Sequence, residues 1–158
     1  MIICPMNETH AAKAAILEKK NFSTPWSEQS FLDELKLENS FYAVALEGDE
    51  VIGVCGSIRI GDEADILNVS VHSEYRRRGI AEKMLEFVLQ KNVDMGVRAF
   101  VLEVRKSNEP ARKLYEKFGF EFLGYRKNFY EKPNEDAAIY RKTVSKEEVR
   151  AAHNCPEF

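Results

Sequence analysis

Three arginines and a glycine, Arg76-Arg77-Arg78-Gly79, sit between a strand-like run and a helix-like run. In the run before them, Ile66 to Val71, the apolar residues Leu67, Val69 and Val71 alternate, which is the period of a half-buried strand. The run after them places Ile80, Met84, Leu85, Val88 and Leu89 at helical spacing. A basic turn that opens a helix offers backbone N–H groups and the positive end of the helix dipole, so its natural chemistry is to hold an anion. A nucleoside-triphosphate loop would need GxxxxGK followed by serine or threonine; the lysine and the hydroxyl are missing. A dinucleotide loop would need GxGxxG, and only Gly79 is present. The bland alternative is a solvated charge cluster. A second feature is Glu103, the charged residue in the otherwise apolar run Ala99-Phe-Val-Leu-Glu-Val104. A third is Tyr115, between Leu114 and Phe118, where a core aromatic is the plain reading.

The elements around these residues follow from pattern and punctuation. Met1–Cys4 reads as a short strand, and Asn7 or Thr9 as the cap of a helix reaching about Lys20. Ser27 opens a second helix with Phe31, Leu32, Leu35 and Leu37 on its apolar face. Glu47-Gly-Asp-Glu50 joins two strands, 41–46 and 51–60, and a polar turn at 62–65 precedes the strand 66–71. The helix from Ile80 stops near Val93, before Gly96. Residues 99–104 read as a strand buried on both faces. Ser107-Asn108-Glu109-Pro110 starts a helix that ends at Gly119. A strand 120–126, a loop 128–136, a strand 137–142 and a short polar helix with a frayed tail complete the order. Two β-α-β passages, 66–104 and 99–126, predict an α/β fold: a mixed sheet of about seven strands with helices on both faces.

Bulk properties narrow the class. A chain of 158 residues with 44% hydrophobic and 31% charged residues suits one soluble domain. A net charge of −3 argues against a general nucleic-acid binder. No apolar run approaches bilayer length, and the N-terminus lacks a secretory pattern. Cys4, Cys55 and Cys155 are scattered, as are His10, His72 and His153, so neither a disulfide framework nor a metal site is expected. A reducing cytoplasmic compartment is the simplest setting.

Arg76-Arg77-Arg78-Gly79-Ile80-Ala81 also meets the pattern Gln/Arg-x-x-Gly-x-Gly/Ala, and Asn108, Ala111, Leu114, Tyr115, Gly119 and Phe120 meet N-x-x-A-x-x-L-Y-x-x-x-G-F. With both motifs in this strand–helix order, the chain resembles the GNAT family of acetyl-CoA-dependent N-acetyltransferases. Pro25-Trp26-Ser27-Glu28, Asn68-Val-Ser-Val71, Leu102-Glu-Val-Arg105 and Arg126-x-Asn128-Phe-Tyr130 make it similar to the ribosomal-protein-alanine acetyltransferases of the RimI type. The resemblance covers residues 1–142, taken as one acetyltransferase domain, and leaves 143–158 as a C-terminal extension.

The resemblance implies a splay between strands 66–71 and 99–104, with the pantetheine arm of acetyl-CoA pairing with Val69, Ser70 and Val71. The turn Arg76, Arg77, Arg78, Gly79, Ile80, Ala81 and Glu82 would receive the pyrophosphate, and Asn108 and Tyr115 would touch the cosubstrate. Glu103 would be the general base, directly or through water, and Tyr115 the acid that meets the leaving thiolate. Trp26 and Tyr130 would contact the acceptor. The acceptor implied is a protein N-terminus, foremost the alanine of small-subunit ribosomal protein S18, with no metal, no membrane and no direct contact to nucleic acid. Direct attack is expected over an acyl-cysteine, because no cysteine neighbours a histidine in either motif. Two alternatives stand beside this reading: an acetyltransferase for a lysine, polyamine or aminoglycoside amine, and a non-catalytic acetyl-CoA-binding module. For the single residues, plain roles also stand: Glu103 as an ion-paired carboxylate near Arg105, Asn108 as a helix cap, Cys55 as core packing and His72 as a loop residue.

Overall fold

The structure, a computed structural model, describes residues 1–153; Cys155 and the end of the expected tail lie outside the described residues. The described residues form seven strands and five α-helices in the order β1 (Ile2–Pro5), α1 (Ala11–Asn21), α2 (Glu28–Leu35), β2 (Ser40–Glu47), β3 (Glu50–Ile60), β4 (Glu63–Val71), α3 (Ile80–Asp94), β5 (Ala99–Arg105), α4 (Glu109–Lys117), β6 (Glu121–Tyr130), β7 (Glu135–Thr143) and α5 (Lys146–His153). The hydrogen-bonded strand order is β1-β2-β3-β4-β5-β7-β6. β4 and β5 pair in parallel while β1/β2, β2/β3, β5/β7 and β6/β7 are antiparallel, so the sheet is mixed, as expected. Among the described residues no helix is long and apolar enough to cross a membrane. The described residues form two compact units: Met1–Ile58 with Leu67–Lys91, and Arg59–Ile66 with residues 92–153.

In the first unit, Asn7 caps a single 3₁₀ turn (Glu8–His10) through its side chain, which accepts from the Thr9 N–H at 2.9 Å; α1 follows directly. Ser27 caps α2, its Oγ accepting from the Ser30 N–H at 3.1 Å. Leu37, expected on the apolar face of that helix, lies beyond its end and is 47% exposed. Phe31 and Tyr42 anchor the core with Met6, Ala14, Leu17 and Val54. Tyr42 lies opposite Gly56 in the β2/β3 register. A Cβ on Gly56 would come within 2.2 Å of the buried Tyr42 ring, whereas one on Gly53 would meet the movable end of Met84 at 2.7 Å. Gly56→Ala therefore costs about 3 kcal/mol of stability and Gly53→Ala clearly less; denaturant midpoints of the two variants check the order.

β4 reverses the expected phase. Ala64, Ile66 and Ser70 are the buried positions, and Leu67, Val69 and Val71 are half-buried. The strand also begins at Glu63, so most of the expected polar turn belongs to it. Ser70 can be buried because its hydroxyl has a side-chain partner: Asn21 Nδ2 donates to Ser70 Oγ at 2.6 Å.

In the second unit, the first residues of β4 pair with β5 from Glu63↔Ala99 to Asp65↔Val101, and β7 lies on the other edge of β5. β5 is not buried on both faces. Phe100, Leu102 and Val104 are buried, while Val101, Glu103 and Arg105 are half-buried. One face packs toward α4 through the Tyr140 ring, 6.4 Å from that of Tyr115. The other face carries charge. The expected loop 128–136 is mostly strand: β6 continues to Tyr130 and β7 begins at Glu135, with Tyr130 opposite Glu135. Asn128 marks a register shift instead of a loop, at φ +55, a conformation asparagine tolerates. Its N–H donates to Asp136 Oδ1 at 3.0 Å. α5 starts with a reciprocal box: the Glu148 N–H donates to Ser145 Oγ at 3.1 Å and the Ser145 N–H to Glu148 Oε2 at 2.8 Å.

Candidate active site

The anion turn belongs to the first unit. β4 ends at Val71, and the His72 N–H donates to the Ile52 carbonyl at 2.8 Å. His72 caps the next 3₁₀ turn, its Nδ1 accepting from the Glu74 N–H at 3.2 Å, so it has a structural task. Arg77 and Gly79 both take left-handed backbone, at φ +63 and +75, and α3 begins at Ile80. The Lys83 N–H donates to the Gly79 carbonyl at 3.1 Å, which makes Gly79 the first carbonyl of the helix. The N–H groups of its first turn then have no carbonyl of their own helix to meet. Nothing lies within 4 Å of where a Gly79 Cβ would stand, so the glycine serves the left-handed backbone conformation and not a close approach.

The side chains of the turn divide. Arg76 Nε donates to the Val71 carbonyl at 3.2 Å and Arg76 Nη2 to Asn21 Oδ1 at 3.1 Å. Arg78 donates to the Glu74 carbonyl at 3.2 Å and lies 5.0 Å over the Tyr75 ring. The Arg77 side chain is exposed, Ala81 and Glu82 are half-buried, and Ile80 is 4% exposed, turned into the core. Trp26 is half-buried, 5.5 Å from the Phe31 ring and 5.9 Å from that of Tyr42.

The second unit gathers a charged face around Glu103. Register sets it: Glu103 lies opposite Ile139, Arg105 opposite Ala137, Val101 opposite Asp65, and Arg126 opposite Ala137. Side chains alternate along strands, so Asp65, Glu103, Arg105 and Arg126 share one face. Burial holds the Glu103 carboxyl above the usual carboxylate range, and Asp65 adds to the rise; Arg126 and a hydrogen bond from its own backbone oppose it. Burial likewise pushes the Tyr130 phenol up to about 12, with Glu103 and Glu135 adding to the effect and Arg105 opposing it.

Arg105 holds the β6–β7 hairpin rather than Glu103. Its guanidinium lies 4.5 Å over the Tyr130 ring, pairs with Glu135 at 3.3 Å, and donates to the carbonyls of Pro133 at 2.9 Å and Glu131 at 3.2 Å. Tyr130 is thus seated on a structured hairpin beside Glu103's face. Tyr115 stands on the opposite side of the strand, 5% exposed, its ring 5.7 Å from Phe120. Asn108 caps α4, accepting from the Ala111 N–H at 3.3 Å. Asp65, Glu135 and Asn21 were invisible as site neighbours in the sequence, because no local motif contains them; only register and folding bring them in.

This arrangement can be set beside known proteins. The model of the acetyltransferase (GNAT) family matches residues 12–120, well over half of the chain. The chain belongs to the GNAT family. Within it, the chain is 37% identical over 131 residues to a Bacillus subtilis protein provisionally named a ribosomal protein bS18-alanine N-acetyltransferase, covering 82% of this chain and 86% of that one. It is 29% identical over 145 residues to the Escherichia coli ribosomal protein bS18-alanine N-acetyltransferase, covering 90% and 97%. The crystal structure of the E. coli ribosomal-protein-S18-alanine N-acetyltransferase superposes with a TM-score of 0.83 over 91% of this chain and 94% of that one, at 29% identity. The GNAT fold expected from the motifs is therefore present, and with it an acetyl-CoA-dependent N-acetyltransferase.

Proposed function

We propose that this GNAT enzyme is a cytoplasmic N-α-acetyltransferase that moves acetyl from acetyl-CoA to a protein N-terminus, foremost the alanine of ribosomal protein bS18. The observation that carries the reading is the half-buried Glu103 carboxyl, held above the ordinary range on the face that also presents Tyr130. An α-amine titrates at about 7.7–8.0 and a lysine amine near about 10.4, so a carboxylate base is matched to the former. The likeness to the bS18-alanine acetyltransferases supports the same acceptor class.

In this reading the turn Arg77–Glu82 holds the pyrophosphate of the cosubstrate, and Val69–Val71 offer backbone to its pantetheine arm. The amine nitrogen attacks the thioester carbonyl and passes its proton to Glu103. The carbon–sulfur bond of the tetrahedral adduct breaks, and the thiolate takes a proton from Tyr115. The products are an amide and free thiol, and solvent restores both protein groups. Tyr130 would orient the acceptor chain, and Trp26, seated on the core, would shape its surroundings. No metal has a step. Residues 1–142 would suffice for the activity, with 143–158 an extension.

Asp65 and Arg126 give this reading a pH test. Glu103 works as a base only when deprotonated, so the acid limb of kcat/KM follows its pKa. Asp65 raises that pKa and Arg126 lowers it. Asp65→Asn therefore moves the limb to lower pH and Arg126→Ala to higher pH, read from rate profiles of the two variants.

Thiol release from acetyl-CoA, followed against peptides beginning Ala, Ser, Met and Lys, tests the function itself. Turnover is expected with a free α-amine and highest with Ala. No release with any free α-amine would overturn the proposal.

A further inference from the structure

The loop side of β4 carries a closed ring of hydrogen bonds that the reaction as described does not use. Asn21, the last residue of α1, donates from Nδ2 to Ser70 Oγ at 2.6 Å and to the Val71 carbonyl at 3.1 Å. Its Oδ1 accepts from Arg76 Nη2 at 3.1 Å, and Arg76 Nε donates to the same Val71 carbonyl at 3.2 Å. Both acceptor sites of that carbonyl are filled, and every polar position of the Asn21 amide has a partner. The amide cannot be turned over. Turning it would set oxygen against the Val71 carbonyl and NH2 against a guanidinium that only donates.

We propose that Asn21 and Arg76 form a latch that fixes the end of β4, and that Arg76 serves acetyl transfer through this latch and not by holding phosphate. The inference rests on the acetyltransferase reading above, in which Val69–Val71 offer backbone to the cosubstrate, and adds that the Val71 N–H polarises the thioester carbonyl, oxyanion-hole fashion. The N–H and C=O of one strand residue point to the same edge, so pinning the Val71 carbonyl also aims its N–H. The next peptide N–H, that of His72, is held from β3 by Ile52, so the strand end is fixed from two directions. A guanidinium engaged by a carbonyl and an amide oxygen is oriented toward the strand. The anion turn keeps its backbone N–H groups and Arg77 for the phosphates.

The two roles of Arg76 predict different variants. Arg76→Gln keeps a side-chain N–H donor and removes the charge; Arg76→Ala removes both. A latch predicts that Arg76→Gln, which keeps the donor to Val71 but not the bond to Asn21, loses less kcat than Arg76→Ala, while Arg76→Ala and Asn21→Ala each lower kcat about tenfold with KM for acetyl-CoA and calorimetric CoA affinity within about twofold. That loss is smaller than the hundredfold or more that follows outright removal of an oxyanion donor. Asn21→Asp, which can still accept from Arg76 but cannot donate to Val71, behaves like Asn21→Ala. Weaker CoA binding in both Arg76→Gln and Arg76→Ala, with Asn21→Ala silent, would overturn the latch and make Arg76 a phosphate ligand. If the wild type releases no thiol with any amine, the acetyltransferase reading fails instead. CoA affinity and faster amide exchange at His72 in Asn21→Ala then still decide the latch.

Discussion

Glu103→Gln lowers kcat/KM for an Ala-peptide at least about a hundredfold near neutral pH, the scale of a lost general base. The loss is largest between the acid limb of the wild type and the titration of the α-amine at about 7.7–8.0. Above that range the amine is already neutral and the deficit narrows. Below the limb Glu103 is itself protonated, and the wild type loses its advantage. Burial and Asp65 place that limb above the ordinary carboxylate range, so the window has a raised floor. Glutamine keeps the volume on a half-buried strand position, so the fold is retained, and parallel melting curves verify this. A uniform loss at all pH values would assign Glu103 to binding. No loss would remove Glu103 from the chemistry and leave acetyl transfer to proceed without it as base.

Tyr115→Phe is the second large effect. The ring is packed between Phe120, at 5.7 Å, and Tyr140, at 6.4 Å, and phenylalanine preserves those contacts. Only the hydroxyl leaves. If that hydroxyl protonates the departing thiolate, kcat falls about a hundredfold while CoA affinity barely moves. A thioester with a more acidic thiol needs the proton less, so the deficit shrinks with such a substrate. An unchanged kcat would return Tyr115 to the plain role of a core aromatic.

These effects depend on features that differed in how legible they were. The turn and its helix could be read from Arg76–Ala81, because glycine, basic residues and helical spacing are all local signals. Glu103 stood out because a carboxylate in an apolar strand is rare on its own terms. The phase of β4 could not be read the same way. Leu67, Val69 and Val71 are the better apolar set, yet Ser70 is buried, because a residue forty-nine positions away satisfies its hydroxyl. The stretch 128–136 looked like a loop because Asn128, Pro133 and Asn134 are turn formers; the strands accommodate them with a register shift and a short turn. Arg105, two positions from Glu103 on the same face, offers a local ion pair as the plain alternative, but hairpin closure sets Glu135 against it. In each case the missing information is long-range pairing, which local spacing does not contain.

The most direct test uses one peptide that begins with alanine and carries an internal lysine, incubated with the enzyme and acetyl-CoA and then fragmented in a mass spectrometer. The account predicts a single acetyl group on the N-terminal alanine and an unmodified lysine. Acetyl on the lysine with a free N-terminus would contradict it.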